Sequence, residues 1–281
     1  MRYRAVLCLM WAVVALVGCD RSAVQGSTTT PKGTAHVAVS NSYLEAAFLD
    51  VMGATEPVLR LADPGMCPGH FDLRPSQVNG LRSCRILLRF EFQNSLDAKL
   101  GSVIEGGLRI GEIRIAGGLC EPSSYIATCR QVADALVLGQ VTDRASADGR
   151  LVEIEKRLNA KTDWCRRQVD QAGWGGRAVI CSGHQEAFCT WLGLKVVATF
   201  SGADTASIEQ IEEAIRAGDS RAVGAVIANL PEGRRLADAL GQRLKAPVVV
   251  FGNFPAMQGS EPSFDALLTT NVTALLGAKL D

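Results

Sequence analysis

The sequence predicts an α/β protein of two lobes joined by a long helical spine. Short β-branched runs alternate with helical patterns, the arrangement that parallel sheets covered by helices require. The alternation occurs twice, once before Pro122 and once after Gly175, and one amphipathic stretch of helical period separates the two sets.

The chain opens with Arg2 and Arg4, an apolar run from Ala5 to Val17, and the small residue Gly18. Residues 1–18 therefore have the layout of a secretory signal peptide. Leu16-Val17-Gly18-Cys19 reads as a lipobox, in which Cys19 is lipidated and becomes the mature N-terminus. The plainer alternative is a short membrane anchor, but a spanning helix needs about 20 apolar residues. The expectation is an exported, membrane-anchored lipoprotein facing the periplasm or the cell exterior. Residues 19–34 are polar, small and aperiodic, which suits a flexible tether.

Folding is expected from Ala35, with an N-terminal lobe over 35–140, a linking helix over 141–174 and a C-terminal lobe over 175–281. In the first lobe His36–Ser40, Pro57–Ala62, Arg85–Phe92 and Arg109–Ala116 read as strands, with helices at Asn41–Val51, Pro75–Ser83 and Ser95–Ile104. A helical block then runs from Ser123 to Gln171. In its later half Leu151, Ile154, Leu158, Cys165 and Val169 recur at mostly three- and four-residue steps, with a polar gap at Thr162, and charged residues fill the other face. The second lobe takes strands from Ala178–Cys181, Lys195–Phe200, Ala222–Asn229 and Pro247–Asn253. Its helices fall at Glu186–Leu192, Thr205–Ala217, Glu232–Leu244 and Ser263–Leu280.

Charge and motif content narrow the function. The chain has 29 basic and 29 acidic residues, and losing Arg2 and Arg4 leaves the exported part slightly acidic, so nothing suggests nucleic acid. No GxSxG, HExxH or GxxxxGK[ST] occurs, and with 3 histidines a His-dependent triad would have to use His70 or His184. Binding is favoured over turnover. Of the 9 cysteines, Cys8 leaves with the leader and Cys19 carries lipid. The remainder, Cys67, Cys84, Cys120, Cys129, Cys165, Cys181 and Cys189, is an odd set with no CxxC.

The loop PGMCPGHFDLRPSQ, Pro64 to Gln77, resembles P-G-x-x-P-H-x-[YF]-x-[LV]-x-P-S, with Gly69 inserted before His70. That motif carries the first histidine ligand in the zinc/manganese solute-binding proteins of ABC importers. VICSGHQEAFCTWLGL resembles the family's second-lobe segment V-x-x-H-x-A-F-x-Y, and Phe264 and Asn271 match its closing helix. The resemblance implies two Rossmann-like lobes on a helical spine, the periplasmic metal-binding receptor architecture. It also implies a monomer that captures a transition-metal ion and hands it to a membrane permease and its ATPase.

By the same resemblance His70 is one ligand. The second-lobe ligand falls on His184 if the following helix is two residues shorter, and otherwise on Ser182. The second histidine of the first lobe maps onto Gly117, and the late acidic ligand maps near Asn253. The residues themselves offer another set: Cys67-x-x-His70, Cys181-x-x-His184, and Cys120 in the loop that lacks the histidine. Thiolates and imidazoles suit Zn2+, ahead of Mn2+ or Fe2+. The plainer reading makes His70 a loop histidine, Cys67 and Cys181 small buried fillers, Cys84, Cys129 and Cys165 core, and Glu121 a solvated acid. Two rival functions stand beside metal import. One is a receptor for a metal chelate or organic solute in a cleft lined by Phe71, Trp191 and Phe254. The other is a surface attachment or scaffold protein that binds no metal.

Overall fold

The computed structural model describes residues 36–53, 56–64, 72–259 and 261–278, within one compact unit, Pro31–Asp281. The leader, Cys19 and the tether lie outside the described residues. Among those described, no helix is long and apolar enough to cross a membrane.

The first lobe runs β1 (Val37–Val39), α1 (Ser42–Met52), β2 (Val58–Arg60), α2 (Pro75–Leu81), β3 (Ile86–Phe90), α3 (Ser95–Lys99), α4 (Gly101–Glu105) and β4 (Arg109–Ile113). Its four strands pair in parallel in the order β2-β1-β3-β4. All five residues of β3 are buried, as expected of an inner strand covered on both faces. Asn41 starts α1 by accepting hydrogen bonds from the backbone N–H groups of Tyr43 and Leu44, which the forming helix leaves unpaired.

The expected helical block is two helices, α5 (Pro122–Leu138) and α6 (Arg144–Gln171). Gln140 adopts a left-handed φ of 56° after Gly139, which ends the first, and Asp143 caps the second through the N–H of Ser146. Over 28 residues α6 spans about 42 Å. It buries Ala147, Ile154, Leu158, Cys165 and Val169, a stripe close to the expected one.

The second lobe contains β5 (Ala178–Ser182), α7 (Glu186–Trp191), β6 (Lys195–Phe200), α8 (Ile208–Asp219), β7 (Ala225–Asn229), α9 (Arg235–Leu244) and β8 (Val248–Phe251). These strands form a second parallel sheet, β6-β5-β7-β8. An unexpected antiparallel hairpin, β9 (Met257–Gln258) with β10 (Glu261–Pro262), precedes the last helix, α10 (Phe264–Leu276).

The hairpin and α10 both return to the first lobe. Arg60 of β2 ion-pairs with Glu45 of α1 and lies 3.5 Å from the Met257 sulfur. Phe264 stacks on Tyr125 of α5 with centroids 3.9 Å apart, and Tyr43 of α1 meets both rings edge-on. One continuous hydrophobic core therefore holds residues of both sheets, α1, α5, α6 and α10, while smaller clusters cover the outer face of each sheet. The lobes share an interior, which resists a wide hinge.

Candidate functional site

In parallel α/β sheets, ligands bind at the carboxyl ends of the strands, where helix N-termini and loop side chains converge. Here that edge is built by the loops after β3 and β4 in the first lobe and after β5, β6, β7 and β8 in the second. In the loop after β2, residues 65–71, which include Cys67 and His70, lie outside the described residues.

The end of β5 carries a closed ring of polar contacts. Ser182 is fully buried, and its Oγ accepts from the backbone N–H of His184 at 3.2 Å, starting a 3-10 turn over Gly183–Gln185. The Ser182 hydroxyl donates to Oε2 of Glu232 at 2.5 Å. The other oxygen of Glu232 lies 3.0 Å from Nδ1 of His184. The imidazole is 66% exposed and the carboxylate 19%. Because Ser182 donates to the carboxylate and not to an imidazole, the ring lacks the nucleophile–base contact of a hydrolytic triad.

Cys120, between β4 and α5, sits at the seam between the lobes. Its thiol donates to the carbonyl of Gly252 at 3.1 Å and lies 3.6 Å from both Oδ1 of Asn253 and Nδ2 of Asn271. Asn271 of α10 fixes this loop by exchanging two 2.9 Å hydrogen bonds with the backbone of Gly252. Gln185 completes the seam, donating to Asn253 at 2.8 Å and to Asn229 at 3.0 Å. Burial pushes the Cys120 thiol well up, and Glu121 beside it acts in the same direction.

The candidate ligands thus fall in different surroundings. Cys181 is fully buried and faces Cys189 of α7, whose thiol is pushed up by its hydrogen bond with Cys181 and by burial. His184 turns outward to Glu232, so the Cys181-x-x-His184 spacing does not bring sulfur and imidazole to one face. Among the described residues no three His, Cys, Asp or Glu side chains converge as a metal-holding group. Two of the positions that the resemblance assigns to ligands hold a glycine, Gly117, and a buried amide, Asn253. A Cβ at Gly117 would lie 2.5 Å from Oγ of Ser124 and 2.7 Å from Oε2 of Glu121, which itself accepts from the N–H of Gly118. Glu121 is thereby folded back on its own loop.

The proposed organic-ligand lining is dispersed as well. Phe254 is buried in the core, Trp191 stacks on Phe188 beneath Arg166 of α6, and Phe71 is outside the described residues. Cys129 and Cys165 lie in the core on α5 and α6, and Cys84 is buried in the turn entering β3. Glu232 and Gln185 were missed by sequence reasoning. The available signal was positional: each follows a buried strand at the sheet's carboxyl edge.

No protein-family model matches the chain, and no curated protein matches it. Solved structures do. The Mn-bound periplasmic metal-binding protein of candidatus liberibacter asiaticus superposes with a TM-score of 0.67 at 11% identity, covering 85% of this chain and 97% of that one. ZnuA superposes with a TM-score of 0.69 at 13% identity, over 86% and 98% of the two chains. The laminin-binding protein Lbp of Streptococcus pyogenes gives 0.68 at 12%, again over 86% and 98%. The two-lobed architecture expected from the sequence is the architecture observed.

Proposed function

We propose that this chain, built on the fold of periplasmic metal-binding proteins, is the solute-binding component of an ABC importer for a transition-metal ion. Zinc is favoured over manganese or iron. The lobes are taken as 35–140 and 175–281 about the linking helix 141–174, and the receptor is exported, lipid-anchored through Cys19 and monomeric. Its partners are a membrane permease and the ATPase that drives it, with no role for nucleic acid and with binding in place of turnover.

The observation that supports this reading is His184, set at the carboxyl end of β5 with its Nδ1 edge on Glu232 and the rest of the ring exposed. An imidazole backed by a carboxylate is the arrangement in which metal-binding histidines are held. In this reading His70 supplies the ligand from the first lobe, with Cys67 as a further candidate. Cys120 and Cys181, both buried in hydrogen-bonded or apolar surroundings, would join only if the seam opened.

A second reading has its own support. The seam of Cys120, Asn253, Gln185 and Asn271 joins the lobes with neutral groups where the resemblance expects charged or imidazole ligands. That suits a surface attachment or scaffold protein that keeps the fold and binds no metal. Metal content of the fragment from Asp20, purified without chelator, separates the two. About one zinc per chain, lost in His70→Ala and His184→Ala, supports the importer reading; no metal in the unaltered fragment favours the scaffold.

A further inference from the structure

Glu232 comes from a part of the second lobe far in sequence from the histidine it touches. Pro231 stiffens the short turn Leu230–Glu232 after β7, and Gly233, with a φ of 75°, ends it, so the carboxylate is aimed back at the end of β5. The loop after β6 closes behind it. A Cβ on Gly202 would lie 3.3 Å from Cβ of Glu232 and 3.4 Å from its Cγ, so the bare glycine allows the stem to seat there. Each carboxylate oxygen is then assigned, Oε2 to the Ser182 hydroxyl and Oε1 to Nδ1 of His184. Ser182 in turn is held by the backbone N–H of His184.

An ionised carboxylate only accepts, so Oε1 of Glu232 at 3.0 Å favours a proton on the facing Nδ1 of His184. A neutral imidazole protonated at Nδ1 has its lone pair at Nε2. We propose that Glu232 is the positioning residue for His184, fixing the Nδ1–H tautomer so that Nε2 is the atom offered to a transition-metal ion. This rests on the metal-capture reading above. Ser182 steadies the carboxylate by donating to Oε2, and with Oε1 turned to Nδ1, Glu232 acts on the ion through His184.

The test reads the tautomer and the metal separately. The full chain is labelled with 15N at histidine; its 3 histidines are assigned with His36→Gln and His70→Gln. Spectra are taken at about pH 8.5, above the ordinary imidazole range. His184 should show a protonated Nδ1 and an unprotonated Nε2, and Glu232→Ala should abolish that preference. Zinc titration against a competing chelator should then show affinity weakened about 10- to 100-fold in Glu232→Ala, with Glu232→Asp partly restoring it. A proton on Nε2 in the unaltered chain, or an unchanged tautomer in Glu232→Ala, overturns the proposal. The expected tautomer without any zinc uptake supports the positioning contact and overturns the importer reading alone. Should Glu232→Ala not fold, Glu232→Leu decides: it keeps an apolar stem and removes both acceptors, so the Nδ1–H preference should be lost and zinc affinity should fall, and an unchanged tautomer overturns the proposal.

Discussion

Arg157 of α6 makes a bidentate ion pair with Asp50 of α1, with N–O distances of 2.8 and 2.6 Å. Its Nε reaches Asp265 of α10 at 3.0 Å, and the Tyr125 hydroxyl donates to Asp50 at 2.8 Å. Burial works against the guanidinium charge, but Asp50 and Asp265 outweigh it and hold the group above the ordinary arginine value. One side chain on the spine thus ties the first helix of one lobe to the last helix of the chain.

Arg157→Ala should therefore destabilise the protein by about 2 kcal/mol, because it leaves Asp50 and Asp265 partly buried without their cation. In urea unfolding, a double-mutant cycle with Asp50→Ala should give a clear coupling energy. Additive effects would mean that the pair is a screened surface contact.

The seam between the lobes also depends on a missing side chain. A Cβ at Gly118 would lie 2.7 Å from Cβ of Ala187 on α7, and neither atom can swing away. Gly118→Val should lower the thermal midpoint, at a cost of about 1–3 kcal/mol. Gly183, whose Cβ would meet nothing within 4 Å, is the control, and Gly183→Ala should change the midpoint little.

Burial raises the carboxyl of Glu45 above its ordinary value of 4.5, more than Arg60 lowers it. A group raised by folding contributes stability that is full below the unfolded value and is lost as pH rises through the folded one. Relative to the unaltered protein, Glu45→Gln should gain stability between about pH 4 and pH 7. Urea midpoints for both proteins at the two pH values test this, and parallel curves would refute it.

Burial pushes the thiol of Cys165 up to about 11, with Lys161 pulling the other way. Its contribution is full below the ordinary thiol range and lost as pH rises towards 11, so stability should fall on the alkaline side and Cys165→Ala should flatten that fall. With Cys120, Cys129, Cys165, Cys181 and Cys189 buried as free thiols, alkylation at neutral pH should be slow in the folded protein and rapid in urea. Fast labelling at Cys120 in the native chain, read by peptide mass spectrometry, would mean that the seam opens in solution.

Much of the architecture was legible in local pattern. The apolar stripe Ile154, Leu158, Cys165 and Val169 announced α6, and the β-branched runs announced both sheets, because burial of one face imposes a period the sequence must carry. The break at Gln140 was less visible, since a left-handed residue that is not glycine leaves little compositional trace. The hairpin Met257–Pro262 escaped notice because two-residue strands have no period to read.

Ligand spacing was the poorest guide. Cys181-x-x-His184 looks like a pair in one dimension, but Cys181 ends in the core against Cys189 while His184 turns out to Glu232. A strand alternates its faces and the following turn redirects the chain, so two residues three positions apart can point to unrelated places.

By itself the sequence determined the order of strands and helices, the parallel sheets and the amphipathic spine, all of which follow from contacts between near neighbours and from one-sided burial. Only the tertiary structure decided that Cys120 meets Gly252, that Glu232 meets His184 and that Arg157 joins Asp50 to Asp265. Such contacts link segments tens to more than a hundred residues apart, and their geometry is set by how the two sheets and the spine share one core, which no local period encodes.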